Sequence, residues 1–255
     1  MNKTLQGYVN THIEDTIATI EFFHPSHNSL PSNLLNDLTH KILELGANEE
    51  VLLIVIKSSG ERTFCAGASF DELVSIENED TGKTFFLGFA NVINAIRTCG
   101  KIVIGRVHGK AVGGGVGLAA ACDYCMASKW ASVKLSELAV GIGPFVIGPA
   151  VERKVGLSAF SQMAINATEW QTAAWAKEKG LFNEVFDSVE QLDEYLTHFL
   201  DITKKMNPEA LSGLKKVFWQ STDHWDSLLE ERAATSGKLV LSTFAKETIG
   251  GFLKK

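Results

Sequence analysis

The segment that indicates the fold most directly is Val107-His-Gly-Lys-Ala-Val-Gly-Gly-Gly-Val-Gly-Leu-Ala-Ala-Ala-Cys-Asp123. A β-branched run, Ile102 to Val107, leads into it, and an Ala/Leu-rich segment typical of a helix follows the three consecutive glycines, Gly113 to Gly115. Glycines let a ligand approach the backbone closely. The first turn of a helix offers unpaired N–H groups at the positive end of its dipole. The stretch therefore predicts a strand, a tight turn and a helix whose start can bind negative charge.

The glycine triplet alone leaves two interpretations open. Its spacing is not that of a dinucleotide-binding fingerprint, G-x-G-x-x-G, and the Gly-Lys-Ser/Thr of a P-loop does not follow it. The glycines either expose the backbone to a ligand or only allow tight packing between helix and sheet.

The composition is that of an ordinary globular protein. The chain has 255 residues, of which 45% are hydrophobic and 21% charged, and its formal net charge is −6. This length suits one large domain or two small ones. Because Lys and Arg form no block, we expect no nucleic-acid partner. Because no apolar run approaches the roughly 20 residues of a membrane span, we expect no membrane partner.

Two features predict a cytoplasmic protein. The start of the chain, Met1 to Thr4, lacks the apolar segment of a secretory signal. The second feature is a small number of cysteines in a long chain, which predicts reduced thiols rather than a disulfide framework. These are Cys65, Cys99, Cys122 and Cys125. Cys122-x-x-Cys125 admits a metal or redox site, but no second ligand pair has suitable spacing, so packing is the favoured interpretation.

Strand and helix patterns alternate over the first 190 residues, and helices alone follow. Val51–Ile56 is apolar on both faces, as in a buried parallel strand. Ser32 and Gly46 are the predicted ends of one helix, and Thr168-Glu-Trp-Gln171 is a capping box that predicts the start of another. We therefore predict an α/β core over 1–190 and a C-terminal helical region over 191–255. That region caps its own core or packs on a neighbouring subunit.

Three loops are candidates for chemistry, and each follows a predicted strand. They surround Ala66-Gly-Ala68, the glycine triplet and Glu137. Two backbone N–H groups that face one carbonyl oxygen form an oxyanion hole. A buried glutamate has a raised pKa and serves as a general base near neutral pH. Glu137 is alternatively an ordinary surface or capping residue.

Several segments together resemble the crotonase, or enoyl-CoA hydratase/isomerase, superfamily. Phe64-Cys-Ala-Gly-Ala-Ser-Phe-Asp-Glu-Leu73 resembles its F-C-A-G-A-D-L-x-E-L signature. The opening stretch is similar to its V-x-G-x-A-x-G-G-G-x-x-L-A-x-x-C-D. Pro25–Leu30 and Lys177–Val185 resemble two further family segments, and the tail from Glu230 to Phe252 looks like the closing helices. The resemblance covers nearly the whole chain.

The resemblance implies a fold, a substrate and an assembly. The fold is a crotonase-like α/β spiral of repeated ββα units with a C-terminal α-helical trimerisation region. The substrate is an acyl-CoA thioester. No separate cofactor and no metal is implied, because coenzyme A enters as part of the substrate. The assembly is a homotrimer or homohexamer.

The resemblance also implies roles for individual residues. The thioester oxygen is expected between the backbone N–H groups of Ala68 and Gly114, and Glu137 is the expected catalytic carboxylate. The residues at the family's CoA-contact positions are Ser26, His27, Ala66, Ser69 and Phe70. Lysines of the tail either pair with CoA phosphates, in this subunit or a neighbour, or are solvated. They are Lys246, Lys254 and Lys255.

One departure from the family pattern favours a particular reaction. Hydratases of this family carry two glutamates, and the position of the first is Gly117 here. Glu137-Leu-Ala-Val-Gly-Ile-Gly-Pro-Phe145 resembles the E-x-x-x-G-I-x-x-P-F stretch of Δ3,Δ2-enoyl-CoA isomerases. The expected activity is therefore isomerisation of 3-enoyl-CoA to 2-enoyl-CoA by one glutamate.

Three alternatives stay open. A hydratase could use some other acid. A decarboxylase would generate the enolate by loss of CO₂, and His108 or His27 would supply polar groups unless they are packing or loop residues. A protein of another class would be a non-catalytic acyl-CoA- or RNA-binding scaffold on the same fold.

Overall fold

A computed structural model of the protein describes residues 7–253. Two sequence predictions concern residues outside this range. They are the absence of a signal at Met1 to Thr4 and the CoA contacts of Lys254 and Lys255. Within the described range no helix is both long and apolar enough to cross a bilayer.

The described strands form three sheets. A six-stranded sheet has the order β1-β2-β4-β7-β9-β12, a four-stranded sheet the order β11-β10-β8-β5, and β3 pairs with β6. The strands are β1 (Tyr8–Glu14), β2 (Ile17–Phe23), β3 (Ser29–Leu30), β4 (Leu53–Ser58), β5 (Thr63–Cys65), β6 (Gly67–Ala68), β7 (Ile102–Val107), β8 (Lys110–Val112), β9 (Tyr124–Ser128), β10 (Ser132–Lys134), β11 (Gln171–Thr172) and β12 (Glu184–Phe186).

Helices connect and cover these sheets. They are α1 (Ser32–Ala47), α2 (Phe70–Ser75), α3 (Glu79–Thr98), α4 (Gly114–Ala121), α5 (Gly148–Ile165), α6 (Ala173–Glu178), α7 (Val189–Thr203), α8 (Pro208–Phe218), α9 (Trp225–Leu239) and α10 (Thr243–Leu253). A 3₁₀ turn spans Leu138–Val140.

Successive turns of the chain form the predicted spiral. In the six-stranded sheet β4 pairs in parallel with β7, and β7 with β9. In the four-stranded sheet β5 pairs in parallel with β8, and β8 with β10. Each turn therefore gives one strand to each sheet before a helix returns the chain. This confirms the α/β fold of repeated ββα units.

The inner strands β4, β7 and β9 of the six-stranded sheet are buried on both faces, which explains their apolar sequences. Ile54 and Ile56 of β4 face the main core with α1 and α3. Leu53 and Val55 face a smaller core that contains Leu192 of α7. The double burial confirms the parallel strand predicted from Val51–Ile56.

Both predicted ends of α1 are wrong. Pro31 is the N-cap, and Ser32 is already helical, with its hydroxyl donating to Glu72 Oε2 at 2.6 Å. Gly46 does not stop the helix, which continues to Ala47. The Cβ that Gly46 lacks would lie 2.7 Å from Cys99 Cβ. Close packing against the end of α3, rather than a turn, therefore explains this glycine.

The capping box predicted at Thr168 is also wrong. The helix begins four residues later, where the Thr172 hydroxyl accepts a hydrogen bond from Trp175 N at 3.1 Å. The intervening Gln171 and Thr172 pair with β10. Pairing with an existing strand outweighed the local capping signal.

Asp123 anchors the C-terminal helices to the six-stranded sheet. Its carboxylate accepts hydrogen bonds from Val103 N, Lys215 Nζ and Trp219 Nε1, each at 2.7 Å. The side chains of Lys215 and Asp123 are only 2% and 1% exposed. The described chain contains helices alone after Phe186, and the division into two regions at residue 190 stays a prediction.

We predict that Lys215→Met destabilises the protein. The substitution leaves the Asp123 carboxylate buried without its cation, which costs about 3–5 kcal/mol. Urea unfolding measures the change, with Lys216→Met on the exposed side of α8 as the matched control, for which about 0.5 kcal/mol or less is expected. Equal losses in the two variants would contradict the anchoring role of Asp123.

Candidate active site

Three loops converge on one cavity because their strands are neighbours. Strands β5, β8 and β10 run parallel and adjacent, so the chain leaves all three at the same edge of the sheet. The cavity there is lined by residues from each loop, among them Ala68, Gly114 and Glu137. The three candidate segments of the sequence therefore lie together.

Glycines allow the first two loops to touch. Gly67 has φ +84°, and a Cβ on it would lie 2.7 Å from Val112 O and 3.2 Å from Gly114 N. Gly113 has φ +52° and ψ −118°, a conformation that glycine alone adopts readily. The glycine triplet is thus required both for its backbone conformation and for close approach to the segment that carries Ala68.

The amide of Gly114 lies at the start of helix α4. The amide before it, Gly113 N, donates to Lys134 O at 2.9 Å and ties the triplet to the end of β10. Gly114 is the first helical residue, so the helix itself supplies no carbonyl to its N–H. Gly114 and Ala68 are both among the residues that line the cavity.

The carboxyl group of Glu137 rests against Gly113. Its Oε1 would lie 2.8 Å from a Cβ on Gly113. Its Oε2 is buried and has no hydrogen-bond partner among residues 7–253. Burial raises the pKa of Glu137 to about 7, although a hydrogen bond with its own backbone lowers it slightly. Glu137 is therefore a cavity residue and the one ionisable side chain among the described residues that line the cavity.

The rest of the cavity wall is largely apolar. Helix α3 contributes Phe86 and Phe89, and the segment after Glu137 contributes Ile142 and Phe145. Neither phenylalanine was among the site residues expected from the sequence. Such a wall excludes water and raises the free-energy cost of charge on Glu137.

Ile147 occupies the space beside Gly117. A Cβ on Gly117 would lie 2.6 Å from Ile147 Cβ and closer still to its Cγ2. Ile147 itself lines the cavity. A glutamate at position 117 would therefore require Ile147 to move.

The C-terminal helix closes the site of its own chain. A Cβ on Gly141, which follows the Glu137 turn at φ +80°, would lie 2.6 Å from Phe244 and 3.5 Å from Ala245 Cα. Ala245 is fully buried. Of the two arrangements left open by the sequence, the described part of α10 adopts the one in which the tail caps its own core.

The five predicted CoA contacts are not all in one place. Ala66 and Phe70 line the cavity. Ser69 is buried, and its hydroxyl caps α2 by accepting a hydrogen bond from Glu72 N at 3.5 Å. Ser26 and His27 are exposed, and His27 lines a separate shallow depression. The roles of these residues in CoA binding stay predictions.

Two further residues shape the site, and the sequence argument did not identify them. Asn28 donates from Nδ2 to Ser59 O and Thr63 O, each at 2.8 Å, and so holds the start of β5. Asn28 belongs to the segment Pro25–Leu30, which resembles a segment of the family, so the sequence did contain a signal for this role. Ser236 of α9 is 1% exposed and lines the cavity. A serine within an amphipathic tail helix gives no such signal.

The remaining candidates lie outside the cavity lining. His108 is buried, and its pKa is lowered to about 4 by burial, followed in effect by the nearby Arg106. Cys122 and Cys125 both pack against Gly105, and burial raises the pKa of the Cys125 thiol to about 12. This environment favours packed thiols over nucleophiles. Lys246 is exposed beside a depression between α2 and α10.

Comparison with known proteins agrees with the geometry. A family model described as enoyl-CoA hydratase/isomerase matches residues 12–254. The chain is 28% identical over 241 residues to the peroxisomal Delta(3,5)-Delta(2,4)-dienoyl-CoA isomerase of Arabidopsis thaliana, covering 86% of this chain and 85% of that protein. It is 28% identical over 247 residues to a probable enoyl-CoA hydratase of Bacillus subtilis, covering 95% and 94%.

A solved structure shows the same fold. The enoyl-CoA hydratase of Bacillus halodurans superposes with a TM-score of 0.88 at 20% identity, over 96% of this chain and 99% of that one. The resemblance seen in the sequence is confirmed by these matches. The chain belongs to the enoyl-CoA hydratase/isomerase family, within the crotonase superfamily of acyl-CoA enzymes.

Proposed function

We propose that this acyl-CoA enzyme converts 3-enoyl-CoA to 2-enoyl-CoA by shuttling a proton through Glu137. One observation carries the proposal. Glu137 is the single ionisable side chain among the described residues that line an apolar cavity, and Ile147 fills the space beside Gly117. A 1,3 proton shift needs one base, whereas the addition of water is shared by two carboxylates in hydratases of this family.

The reaction balances with that single base. The thioester oxygen accepts hydrogen bonds from the N–H groups of Ala68 and Gly114. The Glu137 carboxylate takes a proton from C2, and the electron pair of that C–H bond delocalises onto the thioester oxygen to give a dienolate. The electrons then return, C4 takes the proton from Glu137, and the double bond lies between C2 and C3.

The environment suits both halves of this shuttle. A base whose pKa is about 7 accepts a proton and releases it at neutral pH. Two amide donors stabilise the negative charge on the thioester oxygen of the intermediate. In other enzymes the loss of one such donor raises the activation free energy by about 3–4 kcal/mol. The apolar wall formed in part by Ile142 and Phe145 keeps water from the dienolate.

Hydration is the second candidate, and the name of one relative supports it. The Bacillus subtilis relative is named a probable enoyl-CoA hydratase. No such observation favours a decarboxylase, because His27 and His108 are not among the cavity residues. None favours the RNA-binding scaffold either.

Other predictions remain proposals. A homotrimer or homohexamer is supported by apolar side chains on the surface of the single chain, where Leu157 and Ile165 are 66% and 72% exposed. The cytoplasmic location, the absence of a separate cofactor and the CoA contacts rest on the sequence argument alone.

Product analysis separates isomerisation from hydration. We expect purified enzyme to convert 3-enoyl-CoA to the conjugated 2-enoyl-CoA with no change in mass. We expect it to add no water to 2-enoyl-CoA, because the described residues that line the cavity include no second carboxylate. Mass spectrometry and the absorbance of the conjugated thioester measure this. Accumulation of a product 18 mass units heavier, the mass of one water, would establish hydration instead.

We predict that Glu137→Gln lowers kcat/KM for isomerisation by about 10²–10⁴-fold, because the amide keeps the shape of the side chain but cannot take a proton. In the wild-type enzyme the base works only when ionised, so kcat/KM should fall as the pH drops through about 7. A pH profile of each variant checks both points. A wild-type profile that is flat from pH 6 to 8, together with undiminished turnover in Glu137→Gln, would exclude Glu137 as the base.

Gly113→Ala should also lower activity, by about 10²-fold, because its methyl group would displace the Glu137 carboxyl from the reacting carbon. Gly100→Ala is the matched control. Gly100 has φ +74°, so alanine is strained there too, but its Cβ would meet nothing within 4 Å. Turnover and thermal unfolding are measured for both variants. Similar turnover in the two variants would show that contact with Glu137 does not matter.

A further inference from the structure

A second cavity lies behind one wall of the active-site cavity. Pro144 and Phe145 line both cavities. The other residues that line the second cavity are Gly148, Pro149, Glu152, Phe160, Ala164 and Arg232. The proposed function uses only the first cavity, so the second has no role in it.

The two residues shared by both linings, Pro144 and Phe145, follow a short turn. The turn contains Gly141 and Gly143, both in the left-handed region, with φ +80° and +86°. The Phe145 ring folds back over Gly143, where a Cβ would lie 2.7 Å from the ring carbon Cε2. Phe145 N donates to Gly143 O at 3.0 Å. The Phe145 residue therefore borders both cavities, and the inference below requires its ring to rotate.

Helix α9 carries a polar side chain to each cavity. Ser236 lines the first cavity and Arg232 lines the second. Because they are four residues apart, they lie on the same face of the helix, about 6 Å apart along its axis. An acyl chain that continues beyond the first cavity would thus meet a hydroxyl and then a guanidinium group.

Arg232 has its donors available. No carboxylate lies within ion-pair distance of it in the described part of the chain, although Glu152 lines the same cavity. Arg232 is half-buried as a residue, and Phe145 and Phe160 line the same cavity. Guanidinium stays charged at all physiological pH values and binds planar carboxylates through two parallel hydrogen bonds.

We propose that Arg232 binds a carboxylate at the far end of the acyl chain, so that the preferred substrates are CoA thioesters of dicarboxylic acids. The thioester end would lie at Ala68 and Gly114, and the chain would pass Phe145. This inference rests on the proposed function, because it requires the acyl group to lie in the first cavity. It adds the chemical class of the substrate.

Binding measurements test the proposal without requiring turnover. Pairs of saturated CoA thioesters of equal chain length, one ending in a methyl group and one in a carboxylate, are titrated into the full-length enzyme by calorimetry over a series of lengths. We expect the carboxylate ligand of the best-fitting length to bind about tenfold tighter or more than its methyl partner, the effect of a charged hydrogen bond. Arg232→Met should remove this preference, and Arg232→Lys should retain part of it.

Two further variants serve as controls. Lys238→Met, on an exposed position of the same helix, should leave the preference intact. Glu152→Gln should strengthen it, because the repelling carboxylate is removed. Equal binding of both ligands to the wild type, or a preference that survives Arg232→Met, would overturn the inference alone. Failure of both ligands to bind would overturn it together with the proposed function.

Discussion

The contact between Glu137 and Gly113 is the constraint on which the rest of the site depends. The carboxyl group occupies the position that a side chain on Gly113 would need. The following amide starts helix α4, and Gly113 N holds the end of β10 through Lys134 O. The Glu137 carboxyl group, the first amide of α4 and the end of β10 are therefore fixed relative to one another by the backbone. The order of strands β5, β8 and β10 is what brings these loops to one edge.

Burial then gives the glutamate its chemistry. An exposed glutamate is a weak base at neutral pH, whereas the surroundings of Glu137 raise its pKa to about 7. The surroundings consist of phenylalanines from α3, the Ile142–Ile147 segment and the covering helix α10. Ile147 both completes this apolar wall and takes the space beside Gly117. Ile147 thus adds to the apolar wall and takes the place where a second acid would lie, and Glu137 is the one acid among the described lining residues.

The sequence predicted much of the fold and the main features of the site. The apolar run at Val51–Ile56 predicted a buried strand, because a strand in a sheet that is covered on both faces carries apolar side chains on both sides. The family motifs predicted that Ala68, Gly114 and Glu137 are site residues, and all three line one cavity. The failures were local. Ser32 resembled an N-cap, but its hydroxyl donates a hydrogen bond to Glu72. Thr168 resembled one too, but the strand pairing of Gln171 and Thr172 with β10 delays the start of the helix. Ser236 and Arg232 left no sequence signal, because amphipathic helices carry such residues on any surface.

In the proposed reaction, one carboxylate carries the proton from C2 to C4. The most direct test uses 3-enoyl-CoA labelled with deuterium at C2, converted in ordinary water for a single turnover. Because Glu137 Oε2 is buried, the account predicts that part of the deuterium appears at C4 of the product. Product whose C4 hydrogen comes entirely from solvent, with the label lost to water, would contradict it.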